Sequence, residues 1–219
     1  MTTIKQKQNI KKNTNNDEYK YGLHRLVSFC DGVFAFAITL LAISITIPEI
    51  PKESINQLFS KEIINLAPKF ILYALSFLII GTYWMAHHKM FQYVKKYNDA
   101  FIFLNIVTLM FIAAVPIPTK IMGDYILYSQ SLVLYASYMA ITSLLLASIR
   151  FYAYRMNFIE IDLPKIYYSV RALITPVVFL LSIPFLFLNS YVVFAWFLVF
   201  IFQQVWKKIY FTYLKRSGR

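Results

Sequence analysis

Asp31 is the residue of this sequence that most needs a chemical explanation. It lies in the stretch RLVSFCDGVFAFAITLLAISI, residues 25–45, which has the apolar character of a membrane-spanning helix. Arg25 precedes the apolar run, but Asp31 lies about one turn inside it and is followed by sixteen uncharged residues. An ionised aspartate at the centre of a spanning helix costs about 2.5–3.5 kcal/mol on insertion scales. Neighbouring side chains must therefore stabilise Asp31, or a function must use it.

Candidate partners for Asp31 occur in the next two apolar stretches. Trp84, His87 and His88 lie near the end of the second stretch, and Asn105 lies near the start of the third. If consecutive spans cross the membrane in alternate directions, all of them reach one layer near the cytoplasmic face. An indole N–H, two imidazoles and an amide supply the donors that a buried carboxylate requires. We interpret Asp31 as a structural residue that fastens the first span to the next two, with a proton relay through Asp31 and His87 or His88 as the alternative.

Other chemistry has little support in the sequence. Adjacent helical residues such as His87 and His88 point about 100° apart, so they do not form one chelating pair. The five glycines are scattered, so no phosphate-binding loop can be built from them, and a TVGYG filter is missing. We therefore expect no enzyme activity, no cofactor and no metal site.

The positioning elements are predicted from the apolar pattern. The chain has 219 residues, of which 59% are hydrophobic and 15% are charged, whereas soluble domains have about 25% charged residues. Six apolar stretches at about 26–48, 67–88, 100–121, 126–149, 168–188 and 190–207 predict an all-α integral membrane protein with six transmembrane helices. Residues 1–20 are predicted to be a mobile basic segment, 21–210 the transmembrane domain and 211–219 a basic tail. Prolines 116, 118, 176 and 184 should kink or end spans three and five.

The basic residues predict how the chain is oriented. The N-terminal segment through Arg25, the 89–99 and 150–171 loops and the C-terminus hold 18 of the 22 Lys and Arg residues. Alternate connections are therefore basic, which predicts a multi-pass protein of the cell membrane with both termini in the cytoplasm. The same residues favour contact with anionic lipid at the cytoplasmic face over nucleic-acid binding.

The first three spans resemble a known family. Arg25, Phe29 and Asp31 match the signature R-x-x-x-F-S-D of the prokaryotic homologues of the lysosomal potassium channel, the transmembrane protein 175 family, with Cys30 in place of the serine. The stretches SFLIIGTYWMAHHKMF (76–91) and LNIVTLMFIAAVPIPTKIMGDY (104–125) look like the second and third spans of that family.

This resemblance implies a homotetrameric, potassium-selective leak channel in which the first span of each subunit lines the pore. It implies that potassium is the permeant ion and that the constriction consists of apolar rings at Phe36, Leu40 and Ile43, bordered by Thr39. Ile47 continues the same helical stripe. The family commonly has isoleucine at the first of these positions, so Phe36 is a departure.

Two alternatives stay open from the residues themselves. A stripe at this spacing is more often helix packing than a pore lining. A small proton-coupled secondary cation transporter would use Asp31 and His87 or His88 as its relay. Against a transporter, the sequence has neither an evident inverted repeat nor paired broken helices.

Overall fold

The computed structural model describes residues 2–45, 55–160, 165–188 and 190–216. Over these residues the fold is all-helical except for one isolated bridge between Val94 and Ile159. The seven α-helices are α1 Thr2–Leu40, α2 Ile55–Phe91, α3 Asp99–Ala113, α4 Pro116–Asp124, α5 Ser129–Arg155, α6 Lys165–Leu186 and α7 Leu198–Arg216. A 3₁₀ segment, Leu41–Ser44, extends α1, and another, Ser190–Phe197, precedes α7.

Several of these helices are long and apolar enough to cross a membrane, as predicted for a multi-pass membrane protein. Five such segments occur among the described residues: Tyr21–Ser44, Ile63–Phe91, Asp99–Asp124, Ser129–Arg155 and Tyr191–Thr212. The predicted fifth span corresponds to α6, whose described apolar part is the shorter helix Ala172–Leu186. Its length is below the roughly 20 residues that a bilayer requires, so the count of six spans stays a prediction.

The predicted ends of the transmembrane domain do not coincide with helix ends. α1 begins at Thr2 and runs without a break through residue 20 into the first span. Likewise, α7 continues past residue 211 to Arg216. The predicted mobility of residues 1–20 therefore stays a prediction.

Proline acts differently in the third span and in α6. α3 ends at Ala113, and α4 begins at Pro116, where the missing N–H of proline costs no hydrogen bond. The third apolar stretch is thus divided, as predicted from Pro116 and Pro118. In contrast, α6 runs through Pro176 and ends two residues after Pro184.

α5 lies at the centre of the fold and packs against α2, α3, α4 and α6. Its buried Tyr135 ring stacks on Trp196 at 5.1 Å, and its hydroxyl shares a 2.8 Å hydrogen bond with Ser76 of α2. Thr119 of α4 donates to the same Ser76 oxygen at 3.1 Å. The centre of the helix bundle is therefore apolar, and these buried hydroxyl groups hydrogen-bond to one another.

The loops after α2 and α5 meet at one end of the fold. The Lys95 N–H donates to the Phe158 carbonyl at 2.8 Å, and the Glu160 N–H donates to the Tyr93 carbonyl at 3.2 Å. Asn98 caps α3 by accepting the Phe101 N–H at 2.9 Å. The two basic loops predicted to share one side of the membrane therefore lie together.

Candidate functional site

α1 has two different faces along its apolar half. Cys30, Phe34, Ala37 and Leu41 are buried and pack into the core. On the other side, Phe29, Phe36 and Ile43 are 57%, 62% and 72% exposed. These three residues are seven positions apart, or about two helical turns, so they form one exposed stripe.

Two other predicted pore residues, Thr39 and Leu40, lie on or beside this stripe. Thr39 is exposed, and its hydroxyl donates to the Phe36 carbonyl of its own helix at 2.8 Å. Leu40 is half-buried, so part of its side chain faces the protomer interior. Ile47 lies outside the described residues. The 3₁₀ segment, which the sequence did not predict, places Ile43 about one full turn after Leu40 because such helices have three residues per turn.

Asp31 is held by a partner that was predicted from the sequence. The Trp84 Nε1–H donates to Asp31 Oδ1 at 2.8 Å, which joins α1 to α2. Trp84 also stacks on His88, with ring centroids 5.3 Å apart and an interplanar angle of 28°. Asp31 is half-buried and Trp84 is 37% exposed, so this contact lies at the edge of the protomer.

A second set of contacts lies deeper in the protomer and involves Cys30 and His87, the sequence neighbours of Asp31 and His88. His87, which is 1% exposed, shares a 2.8 Å hydrogen bond between its Nε2 and Asn105 Oδ1. An amide oxygen can only accept, so His87 carries a proton on Nε2. The Asn105 amide donates to Cys30 Sγ at 3.1 Å. The His87 ring packs between Phe34 and Phe91, at centroid distances of 5.4 and 4.5 Å.

The five polar residues predicted to share one layer therefore form two separate contacts. Asp31, Trp84 and His88 make the outer one, and Asn105 and His87 make the buried one together with Cys30, which was not among the five. Among the described residues no hydrogen bond links Asp31 to either histidine. The split arises because positions 30 and 31, like 87 and 88, point about 100° apart on their helices.

The remaining members of the predicted inner network lie away from both contacts. Arg25 is exposed, and Phe29 lies on the exposed stripe with Phe36. Across the described part of the chain, no group of three His, Cys, Asp or Glu side chains is arranged to hold a metal ion.

Sequence reasoning missed several buried polar pairs. Besides the Ser76–Tyr135 contact, Tyr83 and Ser143 share a 2.7 Å hydrogen bond between α2 and α5. Ser76 and Tyr83 are seven residues apart, which places them two turns apart on one face of α2. This seven-residue spacing of hydroxyl side chains was the sequence pattern that could have predicted the two contacts. At the other end of the fold, Lys69 Nζ lies 2.7 Å from Asp124 Oδ1.

Comparison with known proteins locates the similarity in this region. Residues 25–116 match the family described as the endosomal/lysosomal potassium channel TMEM175. A potassium channel of Streptomyces collinus is 40% identical over 104 residues, which are 47% of this chain and 48% of that protein. A potassium channel of Chamaesiphon minutus is 34% identical over 117 residues, covering 53% and 57% of the two chains. The chain thus spans about half the length of the curated relatives it matches. The resemblance predicted from the signature around Asp31 is confirmed over residues 25–116.

A human relative and a solved structure extend the comparison. The human endosomal/lysosomal proton channel TMEM175 is 33% identical over 98 residues, 42% of this chain and 19% of that protein. The crystal structure of a lysosomal potassium-selective channel TMEM175 homologue from Chamaesiphon minutus superposes with a TM-score of 0.72 at 22% identity. This superposition covers 84% of this chain and 97% of the other. The helical fold described above is therefore that of the TMEM175 homologue.

Proposed function

Because residues 25–116 make this chain a homologue of the TMEM175 channels, we propose that it forms a potassium-permeable channel of the cell membrane. The two microbial relatives described above carry the name potassium channel. The matched segment contains α1 and the contacts that fasten α1 to α2 and α3. The residues proposed to form the channel would therefore lie in the part of the chain that matches.

The observation that carries this proposal is the exposed stripe of α1. Apolar exposure alone means little on a membrane protein, because lipid covers apolar side chains equally well. On this face, however, Phe29, Phe36 and Ile43 alternate with the exposed residues Ser28, Gly32 and Thr39. A mixed face with small and polar residues fits a helix interface or a pore lining better than a purely lipid-facing surface.

We place four copies of α1 around a shared axis, as the sequence resemblance implies. In this arrangement the ion path lies between the four copies, so conduction depends on the homotetramer. Phe36, Leu40 and Ile43 would then form successive apolar rings. Because Leu40 is half-buried, its side chain would contribute less surface to the pore than Phe36 or Ile43.

Such rings select by a mechanism different from that of a carbonyl filter. Apolar side chains offer no lone pairs to replace the water around an ion, so any water that is lost is lost without compensation. Potassium holds its hydration shell more weakly than sodium and pays a smaller penalty. Drying of the narrow apolar segment would close the pore. The proposed channel should therefore conduct slowly and discriminate modestly.

The two inner contacts would fix the angle of α1 and thus the width of the rings. The Asp31–Trp84 hydrogen bond joins α1 to α2, and the Cys30–Asn105–His87 chain joins α1 to α3 and α2. Both contacts lie one to two turns before Phe36. A change at either one would tilt the stripe without touching the ion path.

Proteoliposome flux and bi-ionic recordings test the proposed function. We expect passive potassium flux that follows the potassium gradient, and a reversal potential that favours potassium over sodium. Flux that requires a proton gradient would instead support the transporter that uses Asp31 and His87 or His88. Since the human relative is named a proton channel, a recording with protons as the only permeant cation should also be made to measure proton permeation. A zero reversal potential between potassium and sodium would refute potassium selectivity.

Anionic lipid at the cytoplasmic face is the second proposed partner. Lys207 and Lys208 are exposed at the middle of α7, where the predicted sixth span ends on the side assigned to the cytoplasm by the alternating basic loops. Basic residues near an anionic membrane surface contribute about 1 kcal/mol each to attraction.

A further inference from the structure

The ion pair between Lys69 of α2 and Asp124 of α4 lies at the end of the fold opposite the two basic loops. Lys69 Nζ is 2.7 Å from Asp124 Oδ1, and the two side chains are 24% and 30% exposed. Lys69 precedes Trp84 by 15 residues, or about 22 Å along the axis of α2. The pair is therefore separate from the contacts that hold the start of the exposed stripe on α1.

α4 is not held in place by continuity with α3. In an unbroken helix the Val115 N–H would donate to the Phe111 carbonyl, but here it donates to the Ile112 carbonyl at 3.2 Å. The freed Phe111 carbonyl accepts instead from the Tyr138 hydroxyl of α5 at 2.8 Å. Pro116, the next residue, has no N–H with which to continue the helix. α4 therefore depends on its own side-chain contacts for its position.

Two polar contacts join α4 to α2. Thr119, near the middle of α4, is buried and donates to Ser76 Oγ at 3.1 Å. Asp124, the last residue of α4, accepts from Lys69. Next to it, Gly123 lies so near α2 that an added Cβ would be 3.8 Å from Lys69 Cγ, an ordinary contact distance. The buried hydroxyl contact thus holds the middle of α4, whereas the ion pair holds its last residue.

α4 also packs against the 3₁₀ segment Leu41–Ser44, which carries Ile43. Leu41 is fully buried, in the same core cluster as Met122 of α4 and Leu72 of α2. Ile43 is 72% exposed, because positions two apart in a 3₁₀ helix point about 120° apart. The 3₁₀ segment therefore connects the core that α4 shares to the exposed side chain of Ile43.

We propose that Lys69 and Asp124 are positioning residues for the Ile43 ring, an inference that rests on the proposed channel function. The ion pair keeps the end of α4 against α2, and α4 supports the 3₁₀ segment. This segment in turn fixes how far Ile43 reaches toward the shared axis. Ion pairs with this exposure contribute little to the stability of a fold, so loss of the pair shifts α4 without unfolding the protein.

Labelling of a buried thiol measures the position of α4 without ion conduction. Met122→Cys places a thiol in the core two residues before Asp124, and the natural Cys30, which is fully buried, gives the background in the wild type. Adding Asp124→Asn or Lys69→Met should raise the labelling rate of Met122→Cys about two- to fivefold, the equivalent of one partly exposed ion pair. The matched control Lys120→Gln removes an exposed charge from the same helix and should leave the rate unchanged. The exchanged pair, Lys69→Asp with Asp124→Lys, should restore the slow rate.

Single-channel recordings test whether α4 acts through Ile43. Asp124→Asn should raise the current and lower the preference for potassium over sodium, because a displaced ring leaves a wider segment that wets more easily. In the Ile43→Ala background the same substitution should have no further effect, since the side chain that α4 positions is gone. A pair with a purely structural role would instead lower thermal stability in both backgrounds and leave the current of each channel unchanged.

The proposal fails on any of three results. Equal labelling of Met122→Cys with and without the Asp124 charge would show that the pair does not hold α4. Faster labelling with unchanged current would separate α4 from the ring, and equal effects of Asp124→Asn with and without Ile43→Ala would place its action elsewhere. A wild type that carries no potassium current refutes the proposed function instead, and thiol labelling then still decides whether the pair holds α4.

Discussion

The buried contact between His87 and Asn105 gives a sharp test of how α1 is held. Asn105→Leu replaces the amide with an apolar side chain of similar size and leaves the His87 Nε2–H without its acceptor at 2.8 Å. Asn105 is fully buried and His87 is 1% exposed, so water cannot take over the lost bond. A stranded buried polar group costs about 1–3 kcal/mol in proteins. We therefore expect Asn105→Leu to lower the free energy of unfolding by an amount in this range.

The partner substitution makes the prediction quantitative. His87→Phe places an apolar ring between Phe34 and Phe91, where the imidazole already packs at 5.4 and 4.5 Å. Alone it strands the Asn105 oxygen, but combined with Asn105→Leu it leaves neither group unpaired. Double-mutant cycles on membrane-protein hydrogen bonds give coupling energies of about 0.6 kcal/mol on average and up to about 1.7. We expect the double variant to be more stable than the sum of the single variants predicts, by an amount in this range.

The assay is equilibrium unfolding of the purified protein in mixed detergent micelles, with all four proteins of the cycle measured together. Independent sites add to within about 0.3–0.5 kcal/mol. Additivity within that limit would refute the claim that this hydrogen bond stabilises the fold. The same proteins also test the relay hypothesis, since a double variant that folds and keeps the proton flux of the wild type excludes His87 as an essential proton carrier.

Two further predictions concern α1. Phe36→Ala should raise single-channel current and lower the preference for potassium over sodium, because the widened ring wets more easily and ions keep more water. Phe29→Ala is the matched control on the same face, and identical effects from both would remove Phe36 from the constriction. Asp31→Ala should reduce tetramer yield and thermal stability by stranding the Trp84 indole N–H, by less than about 3 kcal/mol because the pair is half-buried. Size-exclusion chromatography and thermal unfolding measure this, and a fully stable mutant that loses only proton sensitivity would favour the relay.

Much of the fold and part of the site could be predicted from the sequence. Long apolar stretches predict helices in a membrane because the backbone must satisfy its own hydrogen bonds there. Asp31 could be paired with Trp84 because alternating spans bring the start of the first apolar stretch and the end of the second to one level. Pro116 could be assigned to a break in the third span because proline lacks the N–H that a helix interior requires.

Only the tertiary structure decided which side chains meet within that level. Apolar periodicity is weak on helices that are hydrophobic on every side, so it does not fix how each helix is rotated. The rotation of α2 sends His87 to Asn105 and His88 to Trp84, although the two histidines are adjacent in sequence.

The same rotational freedom explains the other differences. Leu40 turns partly inward while Phe36 faces outward, and the 3₁₀ segment after Leu40 sets the position of Ile43. Arg150 and Gln203 are 53 residues apart, and no local pattern relates them, yet they line one cavity. The sequence by itself predicted that Asp31 and Trp84 lie at one level, whereas helix packing determined which side chains meet there, because contacts between spans depend on rotation and crossing angle.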